Sequence, residues 1–366
     1  MRVVFVTYDF KEMGGQGRFS RGLVSALTNC GVETEIICPA STNLSWPSRA
    51  ATRLGRNVAF SYLANLQLRS LLKDRGADLI HVNGGPGGVL IPVSHPVPVV
   101  YTAHHTYAQQ ARLIGGQGWK SLLAIVERKS YQAASTIAAD TQSTADSLIR
   151  EYGLTPANVS IIPCGLDFDL FRPTSTQKAP HTCLYVGRLD ARKGFSHLVQ
   201  AWKHVVARVQ DSKLLVVGRG PERAAAEKFL LEEGMRDTVR FAGRVDTQEL
   251  VRLYGEAQCV AVPSIFEGFG LAALEALACG TRVVARNVEG SRDVVTDPSH
   301  GSLVSKYDVL AFADAILQEF EQPRVVDVET RAKLTKEYDW AVIARQYLDL
   351  YESTLRTVPV RIAAAA

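Results

Sequence analysis

The chain has 366 residues, 46% hydrophobic and 21% charged, enough apolar material for a buried core, which excludes disordered, coiled-coil and collagen-like classes. At roughly 100–200 residues per domain, the length predicts two domains. The formal charge of +4 is uneven: residues 1–165 carry 15 Lys/Arg against 10 Asp/Glu and the rest 26 against 27, a surplus that suits an anionic ligand or membrane surface and is too small to indicate nucleic acid.

In chain order, an apolar run from Val3 to Thr7 predicts a strand. The turn Met13-Gly14-Gly15-Gln16-Gly17 leads into a helical pattern with Phe19, Leu23, Val24 and Leu27 on one face, and a strand from Thr34 to Cys38 follows. This is the β–loop–α–β opening of a doubly wound parallel sheet. The alternation continues with a helix over 59–72, strands over 79–82 and 97–102, a helix over 121–134, a strand over 136–138, a helix over 144–151 and a strand over 159–162. Residues 163–181 hold Pro163, Pro173 and Pro180 in a Thr/Ser-rich stretch that reads as a linker. The pattern then restarts, with strands over 183–186, 213–217, 239–241, 259–263 and 282–285. Helices are expected over 195–209, 221–233, 248–255 and 270–278, then a long amphipathic helix over 340–355 and a frayed alanine-rich end. The expected fold is α/β, with two Rossmann-like βα-repeat domains leaving a cleft at the carboxyl ends of their strands, where such sheets bind ligands.

The six cysteines, Cys30, Cys38, Cys164, Cys183, Cys259 and Cys279, show no metal spacing, and most sit in apolar runs that read as buried thiols of a reducing cytoplasm. The start MRVVFVTYDF is too short and too quickly polar for a signal peptide, and no run of about 18 apolar residues is present.

Five segments carry chemistry. Gly14-Gly15-Gln16-Gly17 is either a tight βα turn or a place where backbone meets ligand at a helix N-terminus. As a dinucleotide fingerprint it fails, because a third glycine is missing and no acid ends the second strand. Gly187-Arg188-Leu189-Asp190-Ala191-Arg192-Lys193-Gly194 places cations at a strand's carboxyl end, where an arginine fork and a lysine point charge would hold a diphosphate. Gly218-Arg219-Gly220-Pro221 reads foremost as a structural turn. In Pro263-Ser264-Ile265-Phe266-Glu267-Gly268-Phe269-Gly270-Leu271-Ala272-Ala273-Leu274-Glu275-Ala276, two carboxylates eight apart straddle a glycine loop and a helix start. Glu275 lies in an otherwise apolar helix and needs a partner such as sugar hydroxyls. Thr102-Ala103-His104-His105-Thr106 puts two histidines at a strand end, either capping it or meeting a ligand. No third metal ligand is apparent beside them.

The segments GRLDARKG and EGFGLAALEALACG resemble retaining glycosyltransferases of the GT-B fold, family four, over nearly the whole chain and most strongly over about 160–305. The resemblance implies an acceptor-binding domain over 1–165, a nucleotide-sugar domain over 166–339, and a segment 340–366 whose helix returns to the first domain. It implies that Arg188 and Lys193 bind the donor diphosphate and stabilise the leaving group, that Glu275 accepts ribose hydroxyls, and that Glu267 lies beside the transferred sugar. The N–H groups of Phe269, Gly270 and Leu271, next to Gly268, would meet phosphate or sugar. Gly187, Gly218, Gly243 and Arg244 would border the donor, the last two near the nucleobase. Gly15 would let the phosphosugar approach, and Gly14, His104 and His105 would face the acceptor side, with His104 among the catalytic groups. Two departures stand out: Cys164-Gly165-Leu166-Asp167 where Asn-Gly-Val-Asp is usual, and Glu289-Gly290-Ser291-Arg292-Asp293 where a double glycine is expected.

The implied activity is transfer of a sugar from a nucleoside diphosphate sugar to a hydroxyl acceptor with retention, by a front-face route, without metal or other cofactor. The alternatives are a sugar-nucleotide epimerase of the same fold and a non-catalytic nucleotide-sugar binder. No nucleic acid partner is expected, and the expected location is cytoplasmic. Trp46, Arg49, Arg53, Arg56, Arg112, Trp119, Lys120, Arg128 and Lys129 make the inner face of an anionic membrane a candidate peripheral partner.

Overall fold

Five-residue runs of valine, isoleucine and leucine alternating with amphipathic stretches can bury both strand faces only in a parallel sheet covered by helices on each side. The computed structural model contains two such sheets. It describes residues 1–10, 14–39, 53–74, 76–84, 96–116, 118, 120–174, 177–305 and 308–357. The chain divides into two compact units, residues 1–165 with the chain from 340 onward, and Leu166–Asp339.

The first unit runs β1 (Arg2–Val6), α1 (Gly15–Asn29), β2 (Glu33–Ile37), α2 (Arg53–Asp74), β3 (Leu79–Asn83), β4 (Val99–Ala103), α3 (Tyr107–Leu113), α4 (Lys120–Gln132), β5 (Thr136–Ala139), α5 (Gln142–Tyr152) and β6 (Val159–Ile161). All strands are parallel in the order β2-β1-β3-β4-β5-β6. The direction of winding therefore reverses between β1 and β3, whose carboxyl-end loops border the crevice this topology opens. On one face Val4, Val6, Ile80, Val82 and Tyr101 pack under Phe60 and Leu68 of α2, Tyr131 of α4 and Leu148 of α5. Glu127 of α4 is buried in this layer, accepting from Tyr107 N at 2.7 Å and from the Tyr152 hydroxyl. Burial raises its carboxyl to about 7 against these hydrogen bonds and the Lys120 charge.

The second unit runs β7 (Thr182–Val186), α6 (Phe195–Arg208), β8 (Lys213–Val217), α7 (Arg223–Glu232), β9 (Val239–Gly243), α8 (Thr247–Glu256), β10 (Cys259–Val262), α9 (Leu271–Ala278), β11 (Arg282–Arg286), α10 (Glu289–Val294), β12 (Gly301–Val304), α11 (Val309–Glu321) and α12 (Val328–Tyr338). Its parallel sheet has the order β12-β11-β10-β7-β8-β9, so winding reverses between β7 and β10. Trp202, Phe195, Leu214, Val216, Phe312 and Ile316 centre its core.

Helix α13 (Trp340–Thr357) belongs to the first unit and packs with α1 on the sheet face opposite α2, α4 and α5. The Trp340 ring lies against Gly22 of α1 and Gly165, where added Cβ atoms would sit 2.2 and 2.3 Å from it. Under α13, His81 bonds Thr102 Oγ1 at 2.8 Å and the Tyr351 hydroxyl, and Thr102 bonds Tyr347 at 2.8 Å. Burial and the neighbouring His104 pull His81 down to about 3, so it serves as a neutral bolt between sheet and helix.

The segment read as a linker is packed over residues 166–171. Leu166, Phe168 and Phe171 are buried in the second unit, Leu166 N bonds Tyr338 O at 2.8 Å, and the Arg331 guanidinium lies 5.5 Å from the Phe168 ring. Three apolar side chains among the prolines outweigh the loop-like composition. Helices α3, α10, α11 and α12 and strand β12 lie where no element was predicted. The alanine-rich end, Trp46, Arg49 and Trp119 lie outside the described residues.

Candidate active site

In the second unit, the loops after β7 and β10 leave adjacent strands on either side of the reversal, and side chains from them meet. After β7, Asp190 Oδ1 accepts from Lys193 N at 3.0 Å and shapes a single 3₁₀ turn, Ala191–Lys193. The Tyr185 hydroxyl donates to Arg188 O at 2.7 Å, and Arg188 pairs with the Asp190 carboxylate. The turn ends at Gly194, with φ of 65°, where a Cβ would stand 1.9 Å from Pro263 O. Only glycine fits this left-handed, backbone-to-backbone approach. It lets the Lys193 ammonium reach both oxygens of Glu267, at 2.8 and 2.6 Å. Ser264 Oγ donates to Glu267 Oε2 at 2.9 Å. Burial disfavours both charges, but the Lys193 and Arg192 charges and these hydrogen bonds hold Glu267 below the usual carboxylate range. Arg188, 57% exposed at its side chain, stands at the rim.

Gly268, Phe269 and Gly270 turn the chain into α9. Gly270 has φ of 100° and caps the helix without a side-chain bond, so its first N–H groups are uncapped by any side chain. Leu271 opens α9, Phe269 is buried against Tyr338, and Glu275 is buried in α9, accepting from the Tyr254 hydroxyl at 2.8 Å. The departure at Glu289 leaves Gly290 in place, packed so closely that a Cβ would meet Gly268 O at 2.5 Å. Gly187 N bonds Val217 O at 3.0 Å, and Gly218 N bonds Gly243 O at 2.7 Å. A Cβ at Gly218 would lie 1.8 Å from Gly187 O, so these three glycines join the loops after β7, β8 and β9. Arg244 is exposed just beyond β9.

In the first unit, Gly14 precedes α1 and Gly15 is its first residue; a Cβ at Gly14 would meet nothing within 4 Å among the described residues. His104 is buried at the carboxyl end of β4, edge-on to Phe19 at 4.7 Å. Its Nε2 lies 2.8 Å from Asn83 Oδ1 and its Nδ1 3.1 Å from Asp140 Oδ2. Ser20 donates its hydroxyl to Gln16 O at 2.9 Å and therefore accepts from Asn83 Nδ2 at 2.9 Å. That turns Asn83 Oδ1 to His104, so Nε2 carries a proton and donates it. The Asp140 carboxyl is raised by burial against the pull of His104. His105 is half-buried beside it.

Sequence reading found no third metal-type ligand beside the two histidines. The fold brings Asp140 and Cys164 to His104, with ligand atoms all within 4.8 Å, the one such trio among the described residues. Cys164 Sγ donates to Asp140 Oδ2 at 3.9 Å within this group. Asn83 and Asp140 were missed in the sequence, and Asp190 and Ser264 stood inside the singled-out segments without an assigned role. Their common signal is position: each stands at or just after the carboxyl end of a parallel strand.

The family model for glycosyl transferases group 1 matches residues 168–338, and that for glycosyltransferase family 4 matches residues 13–170. A D-inositol 3-phosphate glycosyltransferase of Xylanimonas cellulosilytica is 32% identical over 311 residues, covering 78% of this chain and 74% of its own. A glycogen synthase of Mycobacterium tuberculosis is 26% identical, covering 97% and 95%. Sucrose-phosphate synthase from Thermosynechococcus elongatus has a TM-score of 0.83 at 24% identity, covering 98% of this chain and 100% of its own. Anabaena HepE, solved in complex with UDP and glucose, has a TM-score of 0.74 at 18% identity, covering 96% and 100%.

Proposed function

This chain belongs to the glycosyl transferases group 1, glycosyltransferases of family four with the GT-B fold, and on that premise we propose that it moves a sugar from a nucleoside diphosphate sugar to a hydroxyl acceptor with retention and without a metal. The observation that carries the donor reading is the clamp of Lys193 on Glu267, with Arg188 at its rim, on the two loops flanking the reversal of the second sheet.

A diphosphate at this place meets a guanidinium fork from Arg188 and a point charge from Lys193, which together offset the charge that develops as the sugar–phosphate bond breaks. That neutralisation is the work a divalent cation would otherwise do. The uncapped N–H groups opening α9 supply further donors to an anion. Glu275 takes the ribose hydroxyls in this reading, and Glu267 lies beside the sugar. The side chain of Glu267 is already spanned by Lys193 and Ser264, so it acts as a fixed negative charge that orients the ammonium and stabilises an oxocarbenium-like centre. The bond from the anomeric carbon to the diphosphate breaks and the bond to the acceptor oxygen forms on the same face. The acceptor proton passes to the departing diphosphate oxygen.

A panel of UDP-, GDP-, ADP- and dTDP-sugars screened by thermal shift identifies the donor, because a ligand that binds only the folded state raises its stability. With that donor, nucleoside diphosphate release should proceed in EDTA and the product should keep the donor's anomeric configuration. Lys193→Ala and Glu267→Ala should each lower turnover by about 100-fold or more, the scale of losing one preorganised charge. Turnover within a few-fold of wild type in both variants would refute the site, and absolute dependence on added metal would refute the metal-free route.

A further inference from the structure

The positive surplus of residues 1–165 has an address. Helices α2 to α5 carry nine Lys/Arg against four Asp/Glu, and the remainder of residues 1–165 carries six of each. The whole excess of five charges therefore lies on the helices above one face of the first sheet. Of the four acids, Glu127 is buried, and Asp74 is the one that is exposed among the described side chains. Arg69, Lys73, Arg112, Arg128, Lys129 and Arg150 are all exposed.

The same layer carries four large apolar side chains in solvent. On α4, Leu122 is 72% exposed and Ile125 59% exposed, and Arg128 and Lys129 continue that stripe one turn on. On α2, Tyr62 is 64% exposed and Leu66 46%, and Arg69 and Lys73 continue that stripe. Between α3 and α4, Ala108, Ala111, Ser121 and Ala124 line an open groove of about 250 Å³ with Arg112 at its edge.

We propose that the α2–α5 face of the first unit docks on a bilayer containing anionic lipid, with Leu122, Ile125, Tyr62 and Leu66 entering the interface and the cations meeting the headgroups. Charge complementarity selects this occupant: the face offers cations with almost no exposed acid, as an anionic surface requires. Single apolar side chains spaced among the cations match the headgroup–acyl boundary. A nucleic acid would engage the cations but leave the leucine and isoleucine without a partner. A second copy of this face would set cations against cations.

The test is co-sedimentation of the full chain with vesicles of phosphatidylcholine plus phosphatidylglycerol, against phosphatidylcholine alone, at low and high salt. The chain should bind the anionic vesicles at low salt, leave the neutral ones in solution and be released by high salt. Arg128→Glu with Lys129→Glu should lower binding by about tenfold or more, since each surface cation contributes to attraction by an anionic leaflet. Leu122→Ser with Ile125→Ser should lower it severalfold at unchanged melting temperature, and donor binding should persist in both variants. No binding at low salt, equal binding to neutral vesicles, or wild-type binding by both double variants would overturn the proposal. So would a dimer in light scattering that the Leu122→Ser, Ile125→Ser variant breaks while vesicles bind neither protein.

Discussion

Glu127 lies in the sequence Val126-Glu127-Arg128-Lys129, which reads as a solvated stretch of helix. Residues 128 and 129 are indeed exposed, but Glu127 faces inward, because helical rotation sets adjacent residues about 100° apart and Tyr131 must face the sheet. Its carboxyl rises from 4.5 to about 7, burial outweighing the bonds from Tyr152 and Tyr107. A raised folded value stabilises the fold fully below the unfolded value and loses that contribution as pH rises through the folded one. Wild-type stability attributable to this residue should therefore fall between about pH 4.5 and 7, by about 3 kcal/mol for a shift of that size. Glu127→Gln keeps the shape and removes the titration, so its urea midpoint should lack that slope. Parallel pH profiles for the two proteins would contradict the assignment. The same limit on reading applied to His104. Its position was legible, but its partners Asn83 and Asp140 come from β3 and the end of β5, and only the strand order makes them neighbours.

Elements with a clean alternation of short apolar runs and amphipathic stretches were legible to within a few residues, as in β8, predicted and observed at 213–217. Those that failed had weak or mixed signals. Strand β12 is a half-buried edge of four residues, and α12 has Leu334 and Tyr338 as its main inward side chains. Helix α11 is the exception among the unpredicted elements, because its stripe of Phe312, Ala313, Ile316, Leu317 and Phe320, all buried, is readable in the sequence. No periodicity announces why glycine stands at position 22, inside α1. There, alanine would ordinarily stabilise the helix by about 1 kcal/mol. The Trp340 ring, 2.2 Å from the Cβ position, reverses the sign. Overpacking typically costs about 1–3 kcal/mol, so Gly22→Ala should lower the melting temperature and loosen α13. Trp340→Leu destabilises alone by opening a cavity, but Gly22→Ala added to it should cost little. The double-mutant cycle should show coupling of about 1 kcal/mol or more. Additive losses would mean that the ring moves aside freely.

At the scale of the whole molecule, the surplus of positive charge and the proposed diphosphate site lie in different units. Arg188 and Lys193 belong to the half whose formal charge is −1, and they gain their force from a strand-end position and a buried glutamate. The surplus in residues 1–165 lies instead on α2–α5, helices that cover one face of a sheet rather than stand at its carboxyl edge. In the proposed function the two charge systems answer to different ligands and should respond separately. Hydrogen exchange of the full chain with a saturating nucleoside diphosphate should show protection over residues 187–194 and 264–276. Binding at about 100 times Kd adds about 2.7 kcal/mol against openings that expose the site. Amides of α2 to α5 should exchange unchanged under the same conditions. Anionic vesicles should give the reverse pattern, slowing α2 and α4 and leaving 264–276 as they were. Nucleotide protection centred on α4, or none at Lys193 and Glu267, would place the diphosphate on the basic face and return bulk charge to the role that local geometry has taken from it.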